Sequence, residues 1–403
     1  MGDAELAVAP TPLVTSWSAL ALDTDQVQRE LDRLWTAWTE AKREARPEPA
    51  VPAADGALMR ASTLNLIAIA ESIEDAIRIE SAVASLTEFT PSRTVILVRA
   101  GQSRKHGLDV RVSVHERSLG RGQPAIRYES ITVAARPGSD DLLASVTAPL
   151  LVPELPDFLW VPGGPLVGNA LFAHLLELAD RVIVDSAALF DLSESLRHLA
   201  DLARQPPPVP RLSDVVWTRL TPWRQVIAQF FDQPTTQPCL ETIDEVAVVH
   251  GGKDARGRSG LTAGLLMAGW LATRLGWRAP GELVQSRDGW RLTLRAGKPG
   301  RSREVILTLR ETDLSCAQCC LGSVTLIAGG AAPGQFTVER TNDQGITTTS
   351  ETPTMPRVSR LVYGRLPDDR QLLSQELRNF GGDPIFEQAL IFAADLWPEG
   401  VKI

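Results

Sequence analysis

Lysine, tyrosine and cysteine are scarce in this chain, and long apolar runs are missing. Lysine occurs only at 42, 105, 253, 298 and 402, so nearly all of the 41 basic residues are arginine. Against 49 acidic residues they leave a formal net charge of −8 and a pI near 5.3. That balance excludes a generic binder of nucleic acid or anionic membrane. Four cysteines in 403 residues make no disulfide framework and fit a reduced, cytoplasmic protein. The most apolar helical stretch, 259–273, falls short of the roughly 20 residues needed to span a bilayer and reads as a buried core helix between Arg258 and Arg274. Residues 1–17 lack the basic and apolar regions of a signal peptide. The five histidines show no HxH or HExxH spacing, and neither a GxSxG elbow nor a Walker-type lysine loop is present. No catalytic set, metal site or cofactor is therefore expected.

What is present is tryptophan, 10 residues against 2 Tyr. Tryptophan is enriched at the anchor points of protein interfaces. Trp35 and Trp38 fall in the N-terminal part, and Trp217, Trp223, Trp270, Trp277, Trp290 and Trp397 in the C-terminal half. The 44% hydrophobic content excludes disorder over the whole length.

The apolar period predicts a first helix over 24–44, with Val27, Leu31, Leu34 and Trp38 on one stripe. A proline-rich run, 46–52, then detaches it, so this helix must dock either on its own body or on a partner. From 60 onward strands and helices alternate. Segments 63–70, 93–99, 158–161 and 181–184 are strand-like and continuously apolar, while 110–115 and 125–134 alternate as half-exposed strands do. The prolines of 205–210 can neither continue a helix nor donate to a sheet, and mark a boundary. Beyond it come helices at 221–231 and 261–275, a strand-rich interval at 283–362, and two closing helices. The expected architecture is an α/β N-terminal domain, doubly wound with a mixed sheet, followed by an α+β C-terminal domain with an antiparallel sheet. The expected divisions are 1–52 for the helix and linker, 53–205 for the α/β domain and 211–403 for the α+β domain.

Three segments are candidates for chemistry. A short strand runs into Gly163-Gly-Pro-Leu-Val-Gly168, and Asp185 follows 22 residues after Gly163 at the end of the next strand. That resembles a dinucleotide-binding loop, but Pro165 stands where the second glycine should admit pyrophosphate. A Gly/Pro turn between strand and helix is the simpler reading; a nucleotide- or sugar-phosphate-binding enzyme using this loop is the alternative. Cys316-Ala-Gln-Cys319-Cys320 contains a CxxC. In a strand its cysteines would stand about 10 Å apart on opposite faces, beyond the roughly 7 Å reach of a disulfide. Cys316, Cys319 and Cys320 are candidate redox residues only if the segment turns, and otherwise small buried hydrophobes. Paired acids at Asp140-Asp141 and Asp368-Asp369 read as helix caps.

The densest unusual segment is Trp217-Thr-Arg-Leu-Thr-Pro-Trp-Arg-Gln-Val-Ile-Ala-Gln-Phe-Phe-Asp232. Thr221 as N-cap and Pro222 at the first helical position would start a helix. Trp217, Arg219, Trp223 and Arg224 are candidates either for partner binding or for fixing a domain junction.

That segment resembles the signature of the glucose-6-phosphate dehydrogenase assembly protein family, OpcA. Further stretches match in order: Arg60-Ala-Ser-Thr-Leu-Asn-Leu66, Pro91-Ser-Arg93, Glu129-Ser-Ile131, Pro149-Leu-Leu-Val-Pro-Glu-Leu-Pro156, Asp180-Arg-Val-Ile-Val-Asp-Ser186 and Ala263-Gly-Leu-Leu-Met-Ala-Gly-Trp-Leu271. The resemblance implies a non-enzymatic partner of glucose-6-phosphate dehydrogenase that promotes its active oligomer, in a system tied to redox control in photosynthetic bacteria. It also implies an N-terminal and a C-terminal domain, and supplies no catalytic residues.

Overall fold

The computed structural model of the chain describes residues 13–19, 23–44, 62–86, 90–100, 107–117, 126–254, 257–297, 302–312, 321–341, 345–363 and 366–398. Two compact units emerge, one of residues 1–162 and 169–182, the other of 163–168 and 183–403.

The first unit is built on β2 (Leu64–Ala70), β3 (Ser92–Val98), β5 (Ile126–Ala134) and β6 (Asp157–Val161). Here β2 pairs in parallel with β3 and β6, and β3 in parallel with β5. β2 and β3 are buried at every position, as central parallel strands covered on both faces must be. The edge turns antiparallel through β4 (Leu108–Arg117), the strand expected at 110–115, and β1 (Leu13–Ala19), which no sequence pattern marks. Within the first unit the sheet runs β1-β4-β5-β3-β2-β6, with α3 (Asp140–Thr147) between β5 and β6 in the chain; β7 (Arg181–Val184), α5 (Leu192–Arg204) and β8 (Arg211–Asp214) follow. The sheet is mixed, as expected.

Helix α1 (Thr24–Glu44) buries Val27, Leu31 and Leu34 against β1 and β4 of its own unit. Its Trp35 indole N–H donates to Glu129 Oε2 at 3.2 Å. Helix α2 (Ile73–Leu86) packs against β2, β3 and β5. This explains why β5, expected to be half-exposed, is buried along 128–131. Its neighbouring polar residues point to opposite faces, and each finds a partner there. Glu129 accepts from Trp35 and from the buried Arg93, which also donates to Leu150 O at 2.9 Å. Ser130 donates to Glu80 Oε1 of α2 at 3.1 Å. Alternation in the sequence therefore marked internal polar pairing, not solvent.

In the second unit β9 (Ile243–Gly251) leads through α8 (Leu261–Leu275) to the hairpin β10 (Val284–Ser286) and β11 (Gly289–Ala296), then to β12 (Arg303–Thr312). β13 (Leu321–Ala328), β14 (Gly334–Thr341), β15 (Gly345–Thr352) and β16 (Met355–Tyr363) complete the order β10-β11-β12-β9-β13-β14-β15-β16. The antiparallel sheet expected here contains one parallel pair, β9 with β12. The α8 crossover brings the chain back beside β9 in the same direction.

Helix α8 packs on β9 and β12 and crosses α10 (Pro384–Leu396). A Cβ at Gly269 would come within 2.3 Å of the Ala389 carbonyl, so glycine sets that close approach. Among the described residues no helix is long and apolar enough to cross a membrane.

Candidate functional site

The segment 214–229 of the second unit forms β8's end and two short helices, α6 (Val215–Arg219) and α7 (Thr221–Gln229). Asp214 caps α6, accepting from the Val216 N–H at 2.9 Å. Thr221, expected as the cap of α7, is its first helical residue. Leu220 before it is itself helical, so α6 runs on into α7 without the extended residue a cap requires. The Thr221 hydroxyl instead accepts from Arg224 Nη2 at 3.0 Å.

All four signature residues can be placed. Trp217 and Trp223 are buried, at 4% and 1% exposure. The Trp217 indole N–H donates to Asp383 Oδ2 at 2.7 Å, and its ring lies 5.6 Å from that of Phe386. Arg224 stacks its guanidinium 3.5 Å from the centre of the Trp217 ring and donates to the Trp217 carbonyl at 2.8 Å. Burial pulls the Arg224 guanidinium down to about 10, opposed by the charge of Asp383. Arg219 is buried and donates to Asp369 Oδ1 at 2.8 Å, and Thr218 donates to Glu376.

These partners lie on the two C-terminal helices. Asp369 and Glu376 belong to α9 (Asp369–Arg378), while Asp383 caps α10 by accepting from the Ile385 and Phe386 N–H groups at 3.0 Å. Arg258 also reaches Asp369, at 3.2 Å, while its Nε donates to Asp254 at 2.9 Å. The signature segment is thus a clamp on α9 and α10. Sequence reasoning missed Asp369, Glu376 and Asp383, which stand 150 or more residues away. Asp368 caps α9, with a capping box to Gln371, and Asp369 in the first turn also receives Arg219 and Arg258. Asp140 stands likewise in the first turn of its helix, behind Ser139 at the cap position, and receives Arg99 through two nitrogens, at 3.0 and 2.9 Å.

Below the clamp lies a pair of carboxyl groups. Asp214 accepts the Ser186 N–H at 3.2 Å and the Ser186 hydroxyl. Burial pushes its carboxyl up to about 7, against the Ser186 hydrogen bond and with help from the charge of Asp185. Burial raises Asp185 as well, opposed by Arg219 and Arg258 and reinforced by Asp369.

The glycine loop 163–168 is tied to residues 188–190. The Gly164 N–H donates to the Ala188 carbonyl at 3.1 Å, and the Phe190 N–H donates to the Gly164 carbonyl at 2.9 Å. A Cβ at Gly163 would sit 3.0 Å from Ala188. Glycine is needed there for contact with the chain itself. The following helix α4 (Ala170–Leu176) is capped by Asn169, whose Oδ1 accepts the Phe172 N–H at 3.1 Å. Two of the groups that could meet a phosphate, the Gly164 and Phe172 N–H, are used within the chain.

In the first unit, His115 Nε2 lies 3.2 Å from both Glu80 Oε1 and Ser130 Oγ. Both partners meet the same ring nitrogen, so the set is not a proton relay, which needs one partner on each nitrogen. Among the described residues no group of three or more His, Cys, Asp or Glu could hold a metal ion. Cys316, Cys319 and Cys320 lie outside the described residues. Cys239 is buried, and burial raises its thiol.

Comparison with known proteins gives the family. Residues 83–204 match the model described as glucose-6-phosphate dehydrogenase subunit N-terminal domain, and residues 210–390 match its C-terminal counterpart. Proteins named OxPP cycle protein OpcA are similar over part of the chain. The Synechocystis relative is 31% identical over 150 residues, 37% of this chain and 30% of that protein. The Nostoc punctiforme relative is 31% identical over 161 residues, 40% and 32% of the two chains. Each match therefore spans about a third of the relative's length. Among solved structures, the transcriptional regulator Gal80p of Kluyveromyces lactis superposes with a TM-score of 0.46 at 10% identity, over 82% of this chain and 87% of that one. With its two parts matched in order, the chain belongs to the OpcA glucose-6-phosphate dehydrogenase assembly family.

Proposed function

We propose that this chain is a cytoplasmic, non-enzymatic assembly factor that binds glucose-6-phosphate dehydrogenase and promotes its active oligomer, supporting the oxidative pentose phosphate pathway. The observation that carries this reading is the ordered match of residues 83–204 and 210–390 to the two domains of a dehydrogenase subunit family. Activation requires differential affinity: contacts made to the active conformation and not to the inactive one shift the population, while equal affinity for both shifts nothing.

In this reading Trp217, Arg219, Trp223 and Arg224 are positioning residues. Trp217, Arg219 and Trp223 are buried, Trp217 bonds Asp383, Arg219 bonds Asp369 and Arg224 stacks on Trp217, which suits the set to holding α9 and α10 in place. Cys316, Cys319 and Cys320 would supply a redox response. The test is dehydrogenase activity with and without the chain, at fixed enzyme concentration. An increase that saturates with added chain is expected; unchanged activity at every ratio overturns the reading. Replacing Cys316, Cys319 and Cys320 by Ser should leave activation under reducing conditions intact and remove its loss on oxidation. If the variant still responds to oxidant, the cysteines are not the sensor.

A further inference from the structure

The two edges of the second unit's sheet differ sharply. One edge, β10, is three residues long. The other, β16, runs nine residues and, from Pro356 to Val362, every side chain is exposed. Val358, Leu361 and Val362 are 38%, 66% and 39% exposed. A strand this long, bare on both faces, offers a row of backbone donors and acceptors together with apolar side chains. Adding a strand to such an edge is a recurrent mode of protein recognition.

Charge selects what could be added. β16 carries Arg357 and Arg360 and no acidic residue, in a chain of net charge −8. Among the described residues neither arginine has an ion-pair partner. The neighbouring strand places Thr347, Thr348, Thr349 and Ser350 beside Leu361, Arg360, Ser359 and Val358. Its one acid, Glu351, stands at the irregularity opposite Pro356 and Arg357 with no ion pair to either arginine among the described residues, so β16 keeps a surplus of positive charge. A second copy of the same strand would bring four guanidinium groups onto one ribbon, and like charges across strands are destabilising. An acidic strand meets none of that repulsion. Because Arg357 and Arg360 are three apart, they project to opposite faces, so the complementary strand carries a carboxylate on each face.

We propose that β16 is the docking edge for an extended, acidic segment of the partner protein, added as a ninth strand beside Met355–Tyr363. This rests on the reading that the chain works by binding the dehydrogenase. Leu361, Val358 and Val362 supply the apolar contact, and the two arginines set register and orientation.

The experiment is titration calorimetry of the full chain against glucose-6-phosphate dehydrogenase at low and high salt, with melting curves to establish that each variant is folded. Wild type should bind, and more weakly at high salt. Arg357→Glu with Arg360→Glu should weaken binding by about tenfold or more. Arg357→Lys with Arg360→Lys keeps the charge and should stay within about threefold of wild type. Wild-type affinity in the folded charge-reversal variant overturns the surface while leaving the function standing. No complex with the wild-type chain overturns the function, and this surface loses its partner with it. A wild-type homodimer that the charge reversal abolishes would show that a second copy covers β16, and that also overturns the proposal.

Discussion

Helices α6 and α7 carry the most recognisable residues of the chain and turn them inward; β16 carries few recognisable residues and turns them outward. Trp217 spends its indole N–H on Asp383 and its ring face on Arg224. Leu361 and Val358 have nothing of the kind and are exposed. The distinctive residue types are therefore those that long-range packing demands. A buried Trp with a bonded N–H, or an Arg held without a carboxylate against a ring, tolerates few replacements. An edge strand needs only alternation, some charge and open backbone groups. The tryptophan excess follows the first pattern. Trp160, Trp217, Trp223, Trp277 and Trp397 are all buried, and Trp290 packs on Trp397 at 4.6 Å. The expectation that this excess marks an exposed contact surface gives way to a packing role for those five; the side chains of Trp17 and Trp38 are outside the described set.

The contrast can be broken first at Trp217. Trp217→Ala removes a buried ring, the Asp383 hydrogen bond and the platform under Arg224, and should destabilise the second unit by about 3–5 kcal/mol. Urea denaturation followed by fluorescence measures it, and a loss below about 1 kcal/mol would mean that the clamp is dispensable.

The next effect is a pH dependence. The unfolded chain releases the Asp214 proton near its ordinary 3.8 and the folded chain near 7, so the folded state holds more protons in that window. Stability should fall as pH rises from about 4 to 7, at no more than about 1.4 kcal/mol per pH unit from this group, and then level off. Asp214→Asn keeps an oxygen for the Ser186 and Val216 N–H groups, both of which meet Oδ1. It should flatten that slope. Identical pH profiles for the two proteins would contradict the assignment.

Gly269→Ala forces α8 away from the Ala389 carbonyl and should cost about 1–3 kcal/mol by thermal denaturation. An unchanged melting temperature would show that the helices separate freely. The smallest effect belongs to the strand. Leu361→Ser should change stability by no more than about 0.5 kcal/mol, since it exposes nothing new. A larger loss would show that β16 is packed and not bare.

Much of the fold was legible because it rests on local signals. The period of α1 and the continuous apolar runs of β2 and β3 could be read directly. The order of β9 and β12 could not, because a parallel pair depends on where a crossover returns, which no local pattern records. The clamp was half legible. Trp217, Arg219, Trp223 and Arg224 stood out, but their partners Asp369 and Asp383 look like ordinary residues at helix starts. Asp383 does cap α10, and its second bond to Trp217 leaves no trace in its own neighbourhood. The glycine loop was misleading in the opposite sense. Gly163 is required by its contact with Ala188 and Gly164 by its φ of +95°, and the same residue type would serve a phosphate.

The proposed role requires this chain to bind the dehydrogenase. The most direct measurement is the mass of glucose-6-phosphate dehydrogenase in solution by light scattering, with and without the chain. A larger species containing both proteins is expected, together with a rise in the enzyme's active oligomer. Two independent species at every ratio and salt concentration would contradict it.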